Sequence, residues 1–163
     1  NIILFRGNVQ TRLDKLARGE ADATLLAAAG LERLEMHDIG HPIAVETMLP
    51  APSQAAIGLE CRADDDVMRT ALSAVNHGPT CLCVEAERAL LAELGADCRS
   101  PVGALAMVEP GGIRLRAQLL SLDGRHVEEG EMLIGGSADA TPGALARRLL
   151  DRAPTSVRKL FAT

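Results

Sequence analysis

Cys98 sits in the short stretch Leu94-Gly95-Ala96-Asp97-Cys98-Arg99-Ser100-Pro101. A helix-like run ends at Leu94, and the strand-like alternation Val102-Gly103-Ala104-Leu105-Ala106 begins after Pro101. A thiol on such a tether can be exposed and still held by the elements on both sides. Covalent attachment needs this, because the thiolate is the reactive form and must be reachable. The plainer reading is a small apolar residue packed in a loop.

A second group with chemical potential is made of arginines. Arg6 lies where an apolar run ends, and Arg12 lies one turn past Asn8, a fair helix cap. Free N–H groups at a helix start already favour an anion. Two guanidinium forks add planar recognition of carboxylate or phosphate. Arg33 follows the next apolar run and would share the same sheet edge, which suggests a polyanionic ligand. Solvated surface arginines are the alternative, and the residues alone leave both open.

Other constellations carry less. His37 and His41 are four apart, which on a helix would be metal spacing. Gly40 and Pro42 disfavour a helix there, so no metal site is expected. Cys81 and Cys83 read as packing. No phosphate-binding glycine loop, dinucleotide fingerprint or Ser-His-Asp order is present.

Composition sets bounds. The chain has 163 residues, no Trp, no Tyr, two Phe and a formal charge of −5. An aromatic base-stacking platform is excluded, and a general nucleic-acid or membrane-surface binder is disfavoured. The four cysteines form no C-x-x-C pair, which suits a reduced, cytoplasmic protein better than a disulfide scaffold. The opening Asn1-Ile2-Ile3-Leu4-Phe5 has no Met and reads as a strand entered midway, as in the later part of a longer polypeptide.

The elements that must position these groups follow from periodicity. Ile2–Phe5 and Ala23–Ala28 are apolar runs suited to buried strands, with a helix from Asn8 to Gly19 between them. That order is a βαβ unit and predicts a parallel sheet. A short helix is expected around Leu31–Met36, and Ile43–Leu49 could be a further extended piece. Pro50-Ala51-Pro52-Ser53 is a linker. Ala56–Cys61 reads as a strand. Asp64-Asp65-Asp66 opens a helix whose inner face would be Val67, Ala71, Leu72 and Val75. Thr80 is expected to cap a helix over Cys81–Leu94, with Leu82, Ala86, Ala89, Leu90 and Leu94 inward. Strands are expected at Val102–Val108, Ile113–Leu120 and His126–Ile134, paired antiparallel through tight turns. Thr141-Pro142 starts a last helix, with Leu145, Leu149 and Leu150 inward. The fold expected is α/β plus α+β, with helices on one face of a three-stranded sheet.

Several stretches now resemble one family in the same order. Arg6-Gly7-Asn8-Val9-x-Thr11-Arg12-Leu13-x-Lys15-Leu16 resembles the R-G-N-V-x-T-R-L-x-K-L of the hydroxymethylbilane synthase (porphobilinogen deaminase) family. Ala29-Gly30-Leu31-x-Arg33-Leu34 resembles its A-G-L-x-R-L. Leu49-Pro50-Ala51, Gln54 and Gly58-x-Glu60-Cys61-Arg62 resemble L-P-A-x-x-Q-x-x-x-G-x-E-C-R. Glu85-x-Glu87-Arg88-Ala89 falls at its A-E-R-A helix, and Cys98-x-x-Pro101-Val102-Gly103 at its C-x-x-P-[IV]-G. The likeness covers this chain and only the later half of the family's chain.

The resemblance implies a transferase of haem and tetrapyrrole biosynthesis. The family joins four porphobilinogen molecules head to tail with loss of ammonia, on a dipyrromethane cofactor held by a thioether. The cysteine carrying it would be Cys98. Arg6, Arg12 and Arg33 would bind acetate and propionate carboxylates of the cofactor and the growing polypyrrole. The family's catalytic aspartate matches nothing here; it belongs to the first domain, so this fragment is expected to be inactive. The implied organisation is 1–55 as the second half of a periplasmic-binding-protein-like parallel-sheet domain, 56–76 returning to the absent first domain, and 77–163 as the cofactor-bearing α+β domain. The intact enzyme is expected to be a monomer, with no metal, nucleic acid or membrane partner.

Two departures stand out. Asp97 replaces the glycine usual before the loop cysteine and sets a carboxylate beside the thiol. Ser53-Gln54-Ala55 replaces G-Q-G, which predicts a stiffer connection. Two other readings are a non-enzymatic α/β module binding small carboxylates through Arg6 and Arg12, and a degenerate, purely structural relative.

Overall fold

The computed structural model describes residues 2–161. The chain divides into two compact units, 1–43 and 44–163.

The first unit holds α1 (Val9–Ala17) and α2 (Ala28–Arg33). Asn8 caps α1 as expected, its side chain accepting the Thr11 backbone N–H at 2.9 Å. Gly7 just before it has φ +134°, and a Cβ there would meet Thr11 Cγ2 at 2.8 Å. Only glycine fits that entry. The second helix starts earlier than the expected Leu31–Met36. Ala28 and Ala29 are strong helix formers and draw the helix back over themselves, with Ala27 as the extended residue before it.

The strands expected at Ile2–Phe5, Ala23–Ala28 and Ala56–Cys61 are not formed among the described residues, and the possible extended piece Ile43–Leu49 is interrupted by a turn at 45–47. The parallel βαβ pairing is therefore absent among the described residues. A buried parallel strand needs hydrogen-bonding neighbours and cover on both faces. Here Ile2, Ile3, Leu4, Ile57 and Leu59 are exposed instead.

The second unit contains α3 (Asp66–Ser73), α4 (Gly78–Leu94), β1 (Val102–Glu109), β2 (Gly112–Leu120), β3 (Val127–Ile134), α5 (Pro142–Arg152) and α6 (Thr155–Arg158). The three strands lie in order β1-β2-β3, antiparallel throughout. The register pairs Ala104 with Ala117 and Ala117 with Gly130, so alternate residues share one face. That face carries Val102, Ala104, Ala106, Leu115, Ala117 and Leu119, and packs with Leu90 and Leu94 of α4 and with Leu145, Ala146 and Leu149 of α5. Val157 of α6 and Phe161 close the core. Each fully buried leucine contributes about 1.5–3 kcal/mol. The opposite face is polar, with Arg114 paired to Glu109 and Glu131, and Gln118 bonded to Glu129.

Three helix expectations are corrected. First, α4 begins at Gly78 after His77, with Pro79 in its first turn, so Thr80 is not the cap. Second, its inward stripe contains Cys83, Ala86, Glu87, Leu90 and Leu94, whereas Leu82 and Ala89 face solvent. The helix is rotated from the expected register, and a carboxylate lies on the buried side. Third, α3 has no buried residue, Val67 being 83% exposed, and Val75 just past its C-terminal end is 67% exposed. Its start is as expected, with Asp65 accepting the Met68 N–H at 2.9 Å.

Both sheet edges are occupied by other groups. On β1, the Ala104 N–H donates to the Pro50 carbonyl at 2.9 Å and the Ala106 N–H to Glu87 Oε1 at 2.7 Å. On β3, Arg148 donates to the Glu131 carbonyl at 2.6 Å, and Arg152 donates to that of Glu129.

Candidate functional site

Cys98 belongs to the second unit. Its loop leaves α4 at Gly95, whose left-handed φ of 59° ends the helix. The thiol is exposed. Asp97 organises the loop around it. Its carboxylate accepts the Arg99 backbone N–H at 2.8 Å, and its own N–H donates to Ser100 Oγ at 2.9 Å. The Ser100 N–H closes the turn onto the Asp97 carbonyl at 3.1 Å. β1 starts four residues after Cys98, so the cysteine sits between two elements of the core, as its sequence position suggested.

The residue that departs from the family pattern therefore has a definite job. Asp97 accepts what a glycine has no side chain to accept, and its charge is matched by the Arg99 guanidinium at 3.0 Å. The Arg99 backbone N–H, and then its side chain, hold the Asp97 carboxyl below its ordinary range. The carboxylate beside the thiol is thus a paired one.

Arg6, Arg12 and Arg33 belong to the first unit. Arg12 projects from α1 and donates through Nη2 to Thr24 Oγ1 at 2.7 Å and to the Leu25 carbonyl at 2.8 Å. It fixes the 24–25 segment beside the helix. Its Nε is buried and has no hydrogen-bond partner among the described residues. A buried guanidinium N–H without an acceptor is costly, and a carboxylate would satisfy it. Arg6 and Arg33 are exposed. None of the ion pairs among the described residues involves any of the three. The Arg6 carbonyl receives Lys15 Nζ at 3.1 Å, and that ammonium lies 5.6 Å from the centre of the Phe5 ring.

A guanidinium group is a planar donor suited to a carboxylate. The thiol fits a covalent anchor. Among the described residues no group of three or more His, Cys, Asp and Glu is placed as metal ligands would be. Cys83 is half-buried against the core. Burial first, and the Glu87 charge second, push its thiol up, while a hydrogen bond from the Val108 backbone pulls the other way. Among the described residues no helix is long and apolar enough to cross a membrane. Glu87 stands in a sequence motif, but nothing in that motif signals its burial.

Taken together, the second unit is a small α+β module with an anchored, exposed cysteine, and the first carries an arginine-bearing helix entry. Residues 1–70 match the family model described as porphobilinogen deaminase, dipyromethane cofactor binding domain. Residues 81–151 match that of the porphobilinogen deaminase C-terminal domain. The chain is 56% identical over 162 residues to the porphobilinogen deaminase of Sphingopyxis alaskensis, covering 99% of this chain and 51% of that protein. It is 45% identical to that of Paracoccus denitrificans, over 94% of this chain and 50% of the relative. To the chloroplastic porphobilinogen deaminase of Oryza sativa subsp. japonica it is 47% identical, over 78% of this chain and 36% of the relative. The chain belongs to the porphobilinogen deaminase family. It spans about half the length of the curated relatives it matches.

Proposed function

We propose that the complete protein is a hydroxymethylbilane synthase. It joins four porphobilinogen molecules head to tail with loss of ammonia, in the cytoplasm, as a step of tetrapyrrole biosynthesis. The observation that carries this reading is the exposed Cys98 thiol on a loop pinned by Asp97 and Ser100.

Cys98 supplies the sulfur for the thioether to dipyrromethane, and that cofactor, when bound, offers the pyrrole carbon to which substrate is joined. Arg6, Arg12 and Arg33 hold the carboxylates of cofactor and growing chain. Each added pyrrole brings two carboxylates, so guanidinium forks are the matching donors. The buried, unpartnered Arg12 Nε supports this assignment.

In the complete protein, residues 1–55 complete a parallel-sheet domain of periplasmic-binding-protein type. Residues 56–76 return to the first domain, which covers their exposed apolar side chains. Residues 77–163 form the cofactor-bearing domain. The catalytic aspartate comes from the first domain, and the enzyme is a monomer.

Intact mass of the complete protein, with and without Cys98→Ala, tests the assignment. A dipyrromethane adduct on the parent and none on the variant is expected. Equal adduct on both would end it.

A further inference from the structure

Glu87 is the one charged side chain in the core among the described residues, 6% exposed on the inner face of α4. Its carboxylate bridges two backbone groups that are distant in sequence. Oε1 accepts the Ala106 N–H on the open edge of β1 at 2.7 Å, and Oε2 accepts the Ser53 N–H at 2.5 Å. A buried carboxylate with a backbone donor on each oxygen makes two charge-assisted bonds where water cannot compete.

The segment it reaches is a strap running from Leu49 to Ala56. Leu49 is buried over Gly103, where an added Cβ would come 3.0 Å from the Leu49 Cβ. The Pro50 carbonyl takes the Ala104 N–H at 2.9 Å. The strap then turns through Ser53-Gln54-Ala55. Ser53 has φ 60° and Ala55 φ 63°. Both lie in the left-handed region, where a Cβ is unfavourable and glycine is the ordinary occupant. In addition, Ser53 Oγ is buried without a hydrogen-bond partner. Such a turn persists only where its surroundings over-determine it.

We propose that Glu87 is a positioning residue that fastens this strap to the edge of β1 and holds its turn in a backbone conformation its own side chains disfavour. The strap leads directly into the segment ending at α3. Glu87 therefore sets where that segment leaves the module. This inference does not depend on the cofactor reading, since it concerns backbone geometry within the second unit alone.

Backbone hydrogen exchange on this chain tests it, with Glu87→Gln as the main variant. A glutamine offers one acceptor oxygen and turns an NH2 toward the other backbone donor. Exchange at Ser53 or Ala106 should accelerate about 10- to 100-fold, as expected for a lost hydrogen bond to a charged group. The core amides of Leu90, Leu115 and Leu149 should keep their rates. Adding Ser53→Gly and Ala55→Gly to Glu87→Gln should restore protection at Gln54 and Ala56, since glycine enters the left-handed region freely. Unchanged protection at both Ser53 and Ala106 would overturn the proposal. So would acceleration spread equally through the core, or a glycine pair that restores nothing.

Discussion

Asp97 holds the Arg99 backbone N–H on one carboxylate oxygen at 2.8 Å and the Arg99 guanidinium on the other at 3.0 Å, so the two neighbours of Cys98 are bound to each other. The predicted effect of pH follows from the sign of the shift. The Asp97 carboxyl is lowered, chiefly by the Arg99 backbone N–H. A depressed carboxyl contributes order that is complete above its ordinary value, about 3.9. That order is lost only as pH falls through the lower folded value. Protection of the Arg99 amide should therefore stay flat from neutral pH down to the ordinary carboxylate range. Asp97→Ala should speed its exchange, while Asp97→Asn, which keeps an acceptor, should retain most of the protection and lose its acid dependence. Solvent exchange followed by NMR reads both.

Arg12 cannot be replaced by lysine without loss. Nη2 alone makes the bonds to Thr24 Oγ1 and the Leu25 carbonyl, and a lysine ammonium that took them over would lack the further planar guanidinium donors, Nε among them, that a carboxylate would engage. In the complete protein, Arg12→Lys should raise the KM for porphobilinogen about tenfold or more, the scale of one lost charged hydrogen bond. Steady-state kinetics decide it, and an unchanged KM would remove Arg12 from the carboxylate site.

The core and the cap of α5 should separate in magnitude. Leu149 is fully buried, and Leu149→Ala should cost about 2–5 kcal/mol through lost contacts and a residual cavity. Thr141 accepts the Ala144 N–H at 3.1 Å from an exposed position, and Thr141→Ala should cost about 1 kcal/mol. Denaturant unfolding of this chain gives both numbers.

The helix α3 should behave differently in this chain and in the complete protein. Val67→Ala and Val75→Ala remove exposed side chains here and should change stability by less than about 0.5 kcal/mol. In the complete protein, where we propose that this face is covered, each should cost about 1 kcal/mol or more. Equal, small effects in both would show that nothing covers the helix. This chain alone should release no ammonia from porphobilinogen, and a simple colorimetric assay checks that.

Legibility in the sequence followed the reach of the interactions. The three antiparallel strands, both tight turns and the Thr141 cap depend on contacts within a hairpin or a turn, and short-range pattern announces them. The apolar runs Ile2–Phe5 and Ala23–Ala28 have strand composition, but a strand exists only with a partner, and periodicity says nothing about whether a partner is present. The rotation of α4 was hidden for a related reason. Hydrophobicity marks Leu82 and Ala89 as inward, whereas the unpaired N–H groups of β1 draw Glu87 inward instead. A backbone donor on a distant strand leaves no trace in the residues around position 87. The loop position of Cys98 is legible in its flanking residues, whereas the hydrogen bonds of Asp97 depend on turn geometry that those residues do not announce.

The occupied margins of the three-stranded sheet have a consequence for assembly. With Pro50 and Glu87 against one border and Arg148 and Arg152 against the other, no bare ladder invites an extra strand. Copies of the module are thereby discouraged from zipping into fibres. An added strand would have to displace these groups from whichever border it joined.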